Sequence, residues 1–213
     1  MPVLNKQLSG YNQIIKKRGL KSLFHELIDN YFFDLFYNVE TQFRDGVTNK
    51  FNNHYAPTYY SLIKEAFNVI ENKNKLNFID VGCGKGKVLL VASDFGFKKI
   101  IGIDLSKKLL HICKQNIYKY KQLKYKKKLI KLINIEATKY KITNENVFYF
   151  FDPFSGPVLN TFLKNILLSF KKNKRKIYII FANPPKQNKL LNLKFKKIKV
   201  IKRNTYNCNI YRL

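Results

Sequence analysis

Phe78-Ile79-Asp80-Val81-Gly82-Cys83-Gly84-Lys85-Gly86-Lys87 decides the fold. An apolar run ends in alternating glycines and passes directly into the helical run Val88 to Phe95. The spacing predicts a strand, a tight turn and a helix. Glycine permits positive φ and lets the backbone approach a ligand with no Cβ in the way. A dinucleotide fingerprint, G-x-G-x-x-G, would place its third glycine at position 87, which is Lys. A G-x-x-x-x-G-K-[ST] phosphate loop is absent too.

Outward from this turn the pattern alternates. Ile100 to Asp104, Leu129 to Ile135, Val147 to Asp152 and Lys176 to Phe181 read as further strands. Helical runs near Lys107 to Tyr120 and Val158 to Phe170 lie between them, and Phe195 to Lys202 and Cys208 to Arg212 read as a closing antiparallel pair. Strands alternating with helices predict an α/β fold, a parallel sheet covered on both faces, with its ligand site outside the carboxyl ends of the strands. Upstream, Leu20, Leu23, Phe24, Leu27, Tyr31 and Leu35 recur at helical spacing. Residues 39–56 are polar and irregular, and Pro57-Thr58 opens another helix running to about Glu71. The expected organisation is a helical extension over 1–54 followed by one domain over 55–213.

The acids sharpen this reading. Residues 77–152 hold six acids, and four of them, Asp80, Asp104, Glu136 and Asp152, fall at predicted strand ends. An acid at Asp104 suits vicinal ribose hydroxyls. Glu136, followed by Ala137, suits an adenine amine.

On these residues the chain resembles the class I S-adenosylmethionine-dependent methyltransferases, over about residues 55–213. The resemblance implies a Rossmann-like, seven-stranded sheet, mostly parallel with an antiparallel last strand. It implies S-adenosyl-L-methionine as cofactor. Asp80, Val81, Gly82, Gly84 and Gly86 would hold the methionine end, Asp104 and Leu105 the ribose side, and Glu136 with Ala137 the adenine. His54-Tyr55-Ala56-Pro57-Thr58-Tyr59-Tyr60 looks like the Y-x-P-T-P segment that closes over the cofactor in some members, which nominates Tyr55, Pro57 and Thr58. Position 59 is Tyr where that segment has its second Pro. Phe150-Phe151-Asp152-Pro153-Phe154 is similar to an F-F-N-P-F motif of bacterial methyltransferase-domain proteins, with Asp for Asn, and Asn183-Pro184 also matches them. A related D/N-P-P-Y/F motif serves amine-directed members. The resemblance therefore nominates Asp152, Pro153 and Phe154 for the acceptor: the carboxylate and the Pro carbonyl accept from an amine, and the ring packs on it.

Composition bounds the remaining functions. At 213 residues, 46% hydrophobic and 15% aromatic, the chain can bury a real core, so disorder and collagen-like repeats are excluded. The longest apolar run, near Ile177 to Ala182, is about six residues against the ~18 a membrane span needs. The first ten residues lack the apolar core of a secretory signal. Cys83, Cys113 and Cys208 show neither paired nor metal-ligand spacing. The expectation is a cytoplasmic protein with no metal and no membrane partner.

The net charge of +28 admits two readings. Thirty-six of the 41 cations are Lys, and Lys, Asn, Ile, Phe and Tyr share A/T-rich codons, so genome bias accounts for the excess. A nucleic-acid partner accounts for it too, although Arg forks suited to phosphate and base edges are few. Residues 153–213 carry 15 cations and no acid. The run Lys119 to Lys131 is either a solvated helix end or a phosphate-tracking patch with Tyr120 and Tyr125. The leading expectation is methyl transfer to a nitrogen on a protein or small molecule, with RNA or DNA as the alternative acceptor. The acceptor itself and the oligomeric state are not written in the sequence. His25, His54 and His111 read as structural or exposed, and Cys83 as a small residue that fits the turn.

Overall fold

The computed structural model describes residues 29, 31–42, 56–120, 130–152, 154, 156–186, 188–203 and 206–213. Tyr55, Pro153, the helical spacing over 20–27 and the middle of the basic run, 121–129, lie outside the described residues.

Seven strands form one sheet: β1 (Asn77–Val81), β2 (Lys99–Asp104), β3 (Ile130–Asn134), β4 (Val147–Phe151), β5 (Tyr178–Ala182), β6 (Lys196–Ile201) and β7 (Cys208–Arg212). The spatial order is β3-β2-β1-β4-β5-β7-β6. β3, β2, β1, β4 and β5 pair in parallel. β7 is antiparallel to both β5 and β6, so the closing pair enters the sheet with its second strand inside and its first at the edge. The sequence explains the choice. β7 buries Cys208, Ile210 and Tyr211, whereas β6 carries Lys196, Lys197 and Lys199. Charged side chains suit an edge strand and oppose further pairing there. At the centre β1, NFIDV, and β5, YIIFA, are buried at every position, as parallel strands covered on both faces must be.

Side chains alternate between two cores. Phe78, Tyr149, Ile180 and Ile210 face a cluster completed by α1 (residues 31–37), α2 (Tyr60–Asn68), α3 (Lys87–Asp94) and part of α4 (Lys107–Lys119). Phe67 of α2 meets Phe78, Phe95 and Phe97 edge-on, each at 5.3 Å between centroids. Ile79, Phe148, Phe150 and Phe181 face the other way, onto α5 (Gly156–Lys172) and α6 (Lys189–Lys194). Phe33 and Val39, from α1 and the segment after it, lie in the first cluster. Asp29 accepts from the Ser61 N–H and Oγ, each at 2.8 Å, and so caps α2 from outside.

α2 stops at Asn68, short of the expected Glu71. Lys73 Nζ donates to the carbonyls of Phe67 and Ile70, which satisfies the helix end, and Asn72 turns the chain in the left-handed region. Among the described residues no helix is long and apolar enough to cross a membrane.

Candidate active site

The strand order reverses between β1 and β4. In sheets of this kind the crevice at the reversal, outside the carboxyl ends, is the ligand site. Two segments flank it here: the glycine turn Gly82–Gly86 after β1 and Asp152 just after β4.

The glycine turn is pinned from β2. Gly82 N–H and Cys83 N–H both donate to the Ile103 carbonyl, at 2.9 and 3.0 Å. Gly84 N–H donates to Asp104 Oδ2 at 2.8 Å, and Ser106 N–H to Asp104 Oδ1 at 2.8 Å. Ser106 also caps α4, its Oγ accepting from Leu109 N–H. Gly82, Gly84 and Gly86 all have positive φ, at 81°, 52° and 88°, a conformation that side chains resist. The Val81 side chain is buried in the second core, so only its backbone faces the turn. Gly86 serves packing: a Cβ there would lie 2.4 Å from Cys113 Sγ. The hydrogen bond with the Cys113 thiol, and burial, hold Cys83 well above the usual thiol range.

Asp80 is buried on β1, and its Oδ2 has no hydrogen-bond partner among the described residues. Burial, with Asp104 beside it, pushes its carboxyl well up. Burial also raises Asp104, although the N–H groups of Ser106 and Gly84 oppose this. An unpartnered buried carboxylate oxygen is costly and fits a cationic or hydrogen-donating ligand group. Asp104 retains acceptor capacity after its two N–H bonds, since each carboxylate oxygen has two lone pairs. Leu105 follows it with 58% of its surface exposed, and Asn134 Nδ2 holds the carbonyls of Asp104 and Leu105 at 3.0 and 2.9 Å.

Glu136 and Ala137 follow β3 and open a short 3-10 turn. Thr138 Oγ1 donates to Glu136 at 2.6 Å and Lys139 Nζ lies at 3.3 Å. The Thr138 bond is the main reason the Glu136 carboxyl falls below its usual range. Pro57 is half-buried and Thr58 is buried. Tyr59 stacks on Tyr206, with centroids 5.4 Å apart and planes 6° from parallel, and Tyr206 also packs on Phe151 at 4.9 Å. The β6–β7 connection therefore reaches the end of β4 through Tyr206. Tyr206 and Ser106 were not foreseen as site residues. Ser106 before Lys107-Lys108-Leu109 carried a capping signal, whereas nothing local marked Tyr206.

Beyond β4 and β5 the geometry differs. Asp152 and Asn183 both take left-handed backbone, with φ of 44° and 53°. Asn183 Nδ2 donates to Asp152 Oδ2 at 2.9 Å. Asp152 is half-buried and Asn183 exposed. Phe154 is buried in the second core, against Phe150 and Phe162. The aromatic cluster under α5 offers its ring an apolar seat.

Residues 72–192 match a family model described as a methyltransferase domain. Solved structures share the fold. An RNA methyltransferase from Salinibacter ruber, in complex with S-adenosyl-L-homocysteine, aligns with a TM-score of 0.57 at 13% identity, over 74% of this chain and 93% of that one. A ribosomal protein L11 methylase from Lactobacillus delbrueckii subsp. bulgaricus gives 0.56 at 15% identity, over 73% and 79%. A SAM-dependent methyltransferase from Aquifex aeolicus gives 0.53 at 14% identity, over 70% and 88%. A search of curated proteins found no match.

Proposed function

The chain belongs to the methyltransferase domain family, and we propose that it moves a methyl group from S-adenosyl-L-methionine to a nitrogen acceptor on a protein or small molecule. The observation that carries this reading is the pairing of two turns at one sheet end. The glycine turn hydrogen-bonded to Asp104 lies beyond β1 and β2, and the Asp152–Asn183 pair lies beyond β4 and β5.

The cofactor supplies a sulfonium carbon open to in-line attack. This chain's residues bind and orient. Asp80 meets the cationic methionine end, Gly82 and Gly84 allow close backbone approach, and Asp104 accepts from the ribose hydroxyls. Leu105 lies beside Asp104 on the ribose side, and Glu136 and Ala137 border the adenine. Pro57 and Thr58 lie on the segment that enters α2 and close the site from that side, and the resemblance adds Tyr55 to them. Asp152 accepts a hydrogen bond from the acceptor amine and takes up positive charge as the nitrogen is alkylated. By the resemblance, the Pro153 carbonyl would serve the same amine, and Asn183 holds the Asp152 carboxylate in place.

A second reading makes RNA or DNA the acceptor. It is favoured by the acid-free, 15-cation stretch 153–213, and an RNA methyltransferase is among the proteins that share the fold. Two measurements test these readings. Calorimetry should show S-adenosylhomocysteine binding in the micromolar range, about 8 kcal/mol, and Gly84→Val should abolish it. Absence of binding by the wild-type protein would sink the proposal. Labelled-methyl transfer into a cell extract, followed by separate protease and nuclease digestion, then assigns the acceptor. Label released by nuclease alone reverses the order of the two readings. If nucleic acid binds through bulk charge alone, its affinity should be sequence-independent and collapse between low and physiological salt.

A further inference from the structure

Lys85 lies inside the glycine turn, yet only 1% of its surface is exposed. A buried ammonium persists only with partners. Its Nζ lies 2.7 Å from Glu40 Oε1, in the segment after α1. Lys87, the first residue of α3, is buried as well, and its Nζ sits 5.2 Å from the centre of the Phe33 ring. Burial pulls its ammonium down to about 8, while Asp34 and Asp29 act to hold it charged. α3 has no acid in its first turn, and a helix N-terminus is already electropositive. Among the described residues, Glu40, Asp34 and Asp29 therefore supply negative charge near a turn whose helix has no acid in its first turn.

Asn116 of α4 joins the same two segments. Its Nδ2 donates to the carbonyls of Glu40 and Lys85, each at 2.9 Å, and its Oδ1 accepts from Glu40 N–H at 2.9 Å. One helical turn earlier, Cys113 fills the space beside Gly86. The upstream segment is itself braced: the Asp34 carboxylate accepts from Thr41 N–H and Thr41 Oγ1, each at 2.5 Å.

We propose that residues 34–41 clamp the glycine turn, and that Glu40 and Asn116 are positioning residues for the cofactor. Glu40 lies outside the matched residues 72–192, so this part of the site belongs to the chain's own upstream region. The inference rests on the cofactor reading above, and its test separates the two. Hydrogen exchange of amides 82–87 in cofactor-free protein reads the clamp, and S-adenosylhomocysteine affinity reads its consequence. Glu40→Ala should speed exchange in the turn and weaken binding about tenfold: the Glu40 side chain is 53% exposed, but its loss takes this partner from the buried Lys85 ammonium. Adding Lys85→Met removes the buried charge, and affinity should return to within about threefold of wild type, since contacting residues couple. Should Glu40→Ala fail to fold, Glu40→Gln keeps a hydrogen-bonding group and should show the same direction, at about threefold. Unchanged turn exchange in a folded variant overturns the clamp. Faster exchange with unchanged affinity overturns the positioning role. A lower melting temperature with neither change marks Glu40 as structural alone. If the wild-type protein does not bind the ligand, the cofactor reading fails and the positioning role falls with it, whereas turn exchange still decides the clamp.

Discussion

The two halves of the sheet's carboxyl end solve the same steric problem with different residues. Beyond β1 and β2, left-handed backbone falls on Gly82, Gly84 and Gly86, and backbone N–H groups point at Asp104 and Ile103. Beyond β4 and β5 it falls on Asp152 and Asn183, whose side chains bond to each other near the surface. Glycine gives a shape that a ligand can approach closely. A non-glycine residue held left-handed costs roughly 1–3 kcal/mol, and such residues gather at functional sites. The first half is thus built to fit, and the second to present particular side chains.

The largest expected effect breaks the second half. Asp152→Ala would mix the loss of a carboxylate with the strain of left-handed alanine, about 1–2 kcal/mol. Asp152→Gly removes the side chain without that strain. Turnover on the acceptor should fall by about 10²–10³, or roughly 2.7–4 kcal/mol, while S-adenosylhomocysteine affinity stays within a few fold. Asp152→Asn can still accept from Asn183 and tolerates the same φ, so it should retain activity within about tenfold if hydrogen-bond acceptance is what matters. Full turnover in Asp152→Gly would reduce Asp-Pro-Phe to a chain turn and move the acceptor site toward Asn183 or Tyr55.

The next effect tests how rigidly the first half is built. At Gly86 a methyl group meets both a left-handed φ and Cys113 Sγ at 2.4 Å. Strain of about 1–2 kcal/mol and overpacking of about 1–3 together predict a loss near 3 kcal/mol for Gly86→Ala. For a chain of this size that is roughly 6–12 °C in melting temperature. In the Gly86→Ala/Cys113→Ala pair the clash is gone and the strain remains, so about half of the loss should return. No recovery would mean that backbone strain alone requires glycine there.

Legibility in the sequence divides along the same line. The strand, turn and helix around Asp80 to Lys87 could be read because the signal is contiguous: apolar run, glycines, apolar helix. Asp104 followed from its place at the next strand end. The Glu40–Lys85–Asn116 contacts could not be read, because they join residues 45 and 76 positions apart and each residue type is ordinary by itself. Lys85 and Lys87 look like solvated charges in a lysine-rich chain, and only packing reveals that both are buried. Phe154 is a third case: its motif points at an acceptor, and only packing reveals that its ring is buried against Phe150 and Phe162.

The smallest expected effect concerns what the first half gives up for binding. Asp80 is buried with an unpartnered Oδ2, and Asp104 stands beside it. Both burial and that neighbour raise its folded-state pKa. Between the ordinary carboxylate value of about 3.9 and the raised value, the folded chain therefore holds more protons than the unfolded one. Stability falls as pH rises through that window, so at neutral pH the group opposes folding. Asp80→Asn keeps the shape and removes the charge. The cofactor-free variant should gain about 1 kcal/mol at pH 7, roughly 2–4 °C, and the gain should shrink as pH falls and vanish below about pH 3, where the wild-type carboxyl is protonated in both states. The same variant should bind S-adenosylhomocysteine at least about tenfold more weakly, the loss of one hydrogen bond to a charged group. A protein that gains stability and loses ligand in one substitution carries a strained binding group. A variant with no thermal gain at pH 7 would show that Asp80 is comfortably solvated, and that the two halves of the sheet end differ less than their backbones suggest.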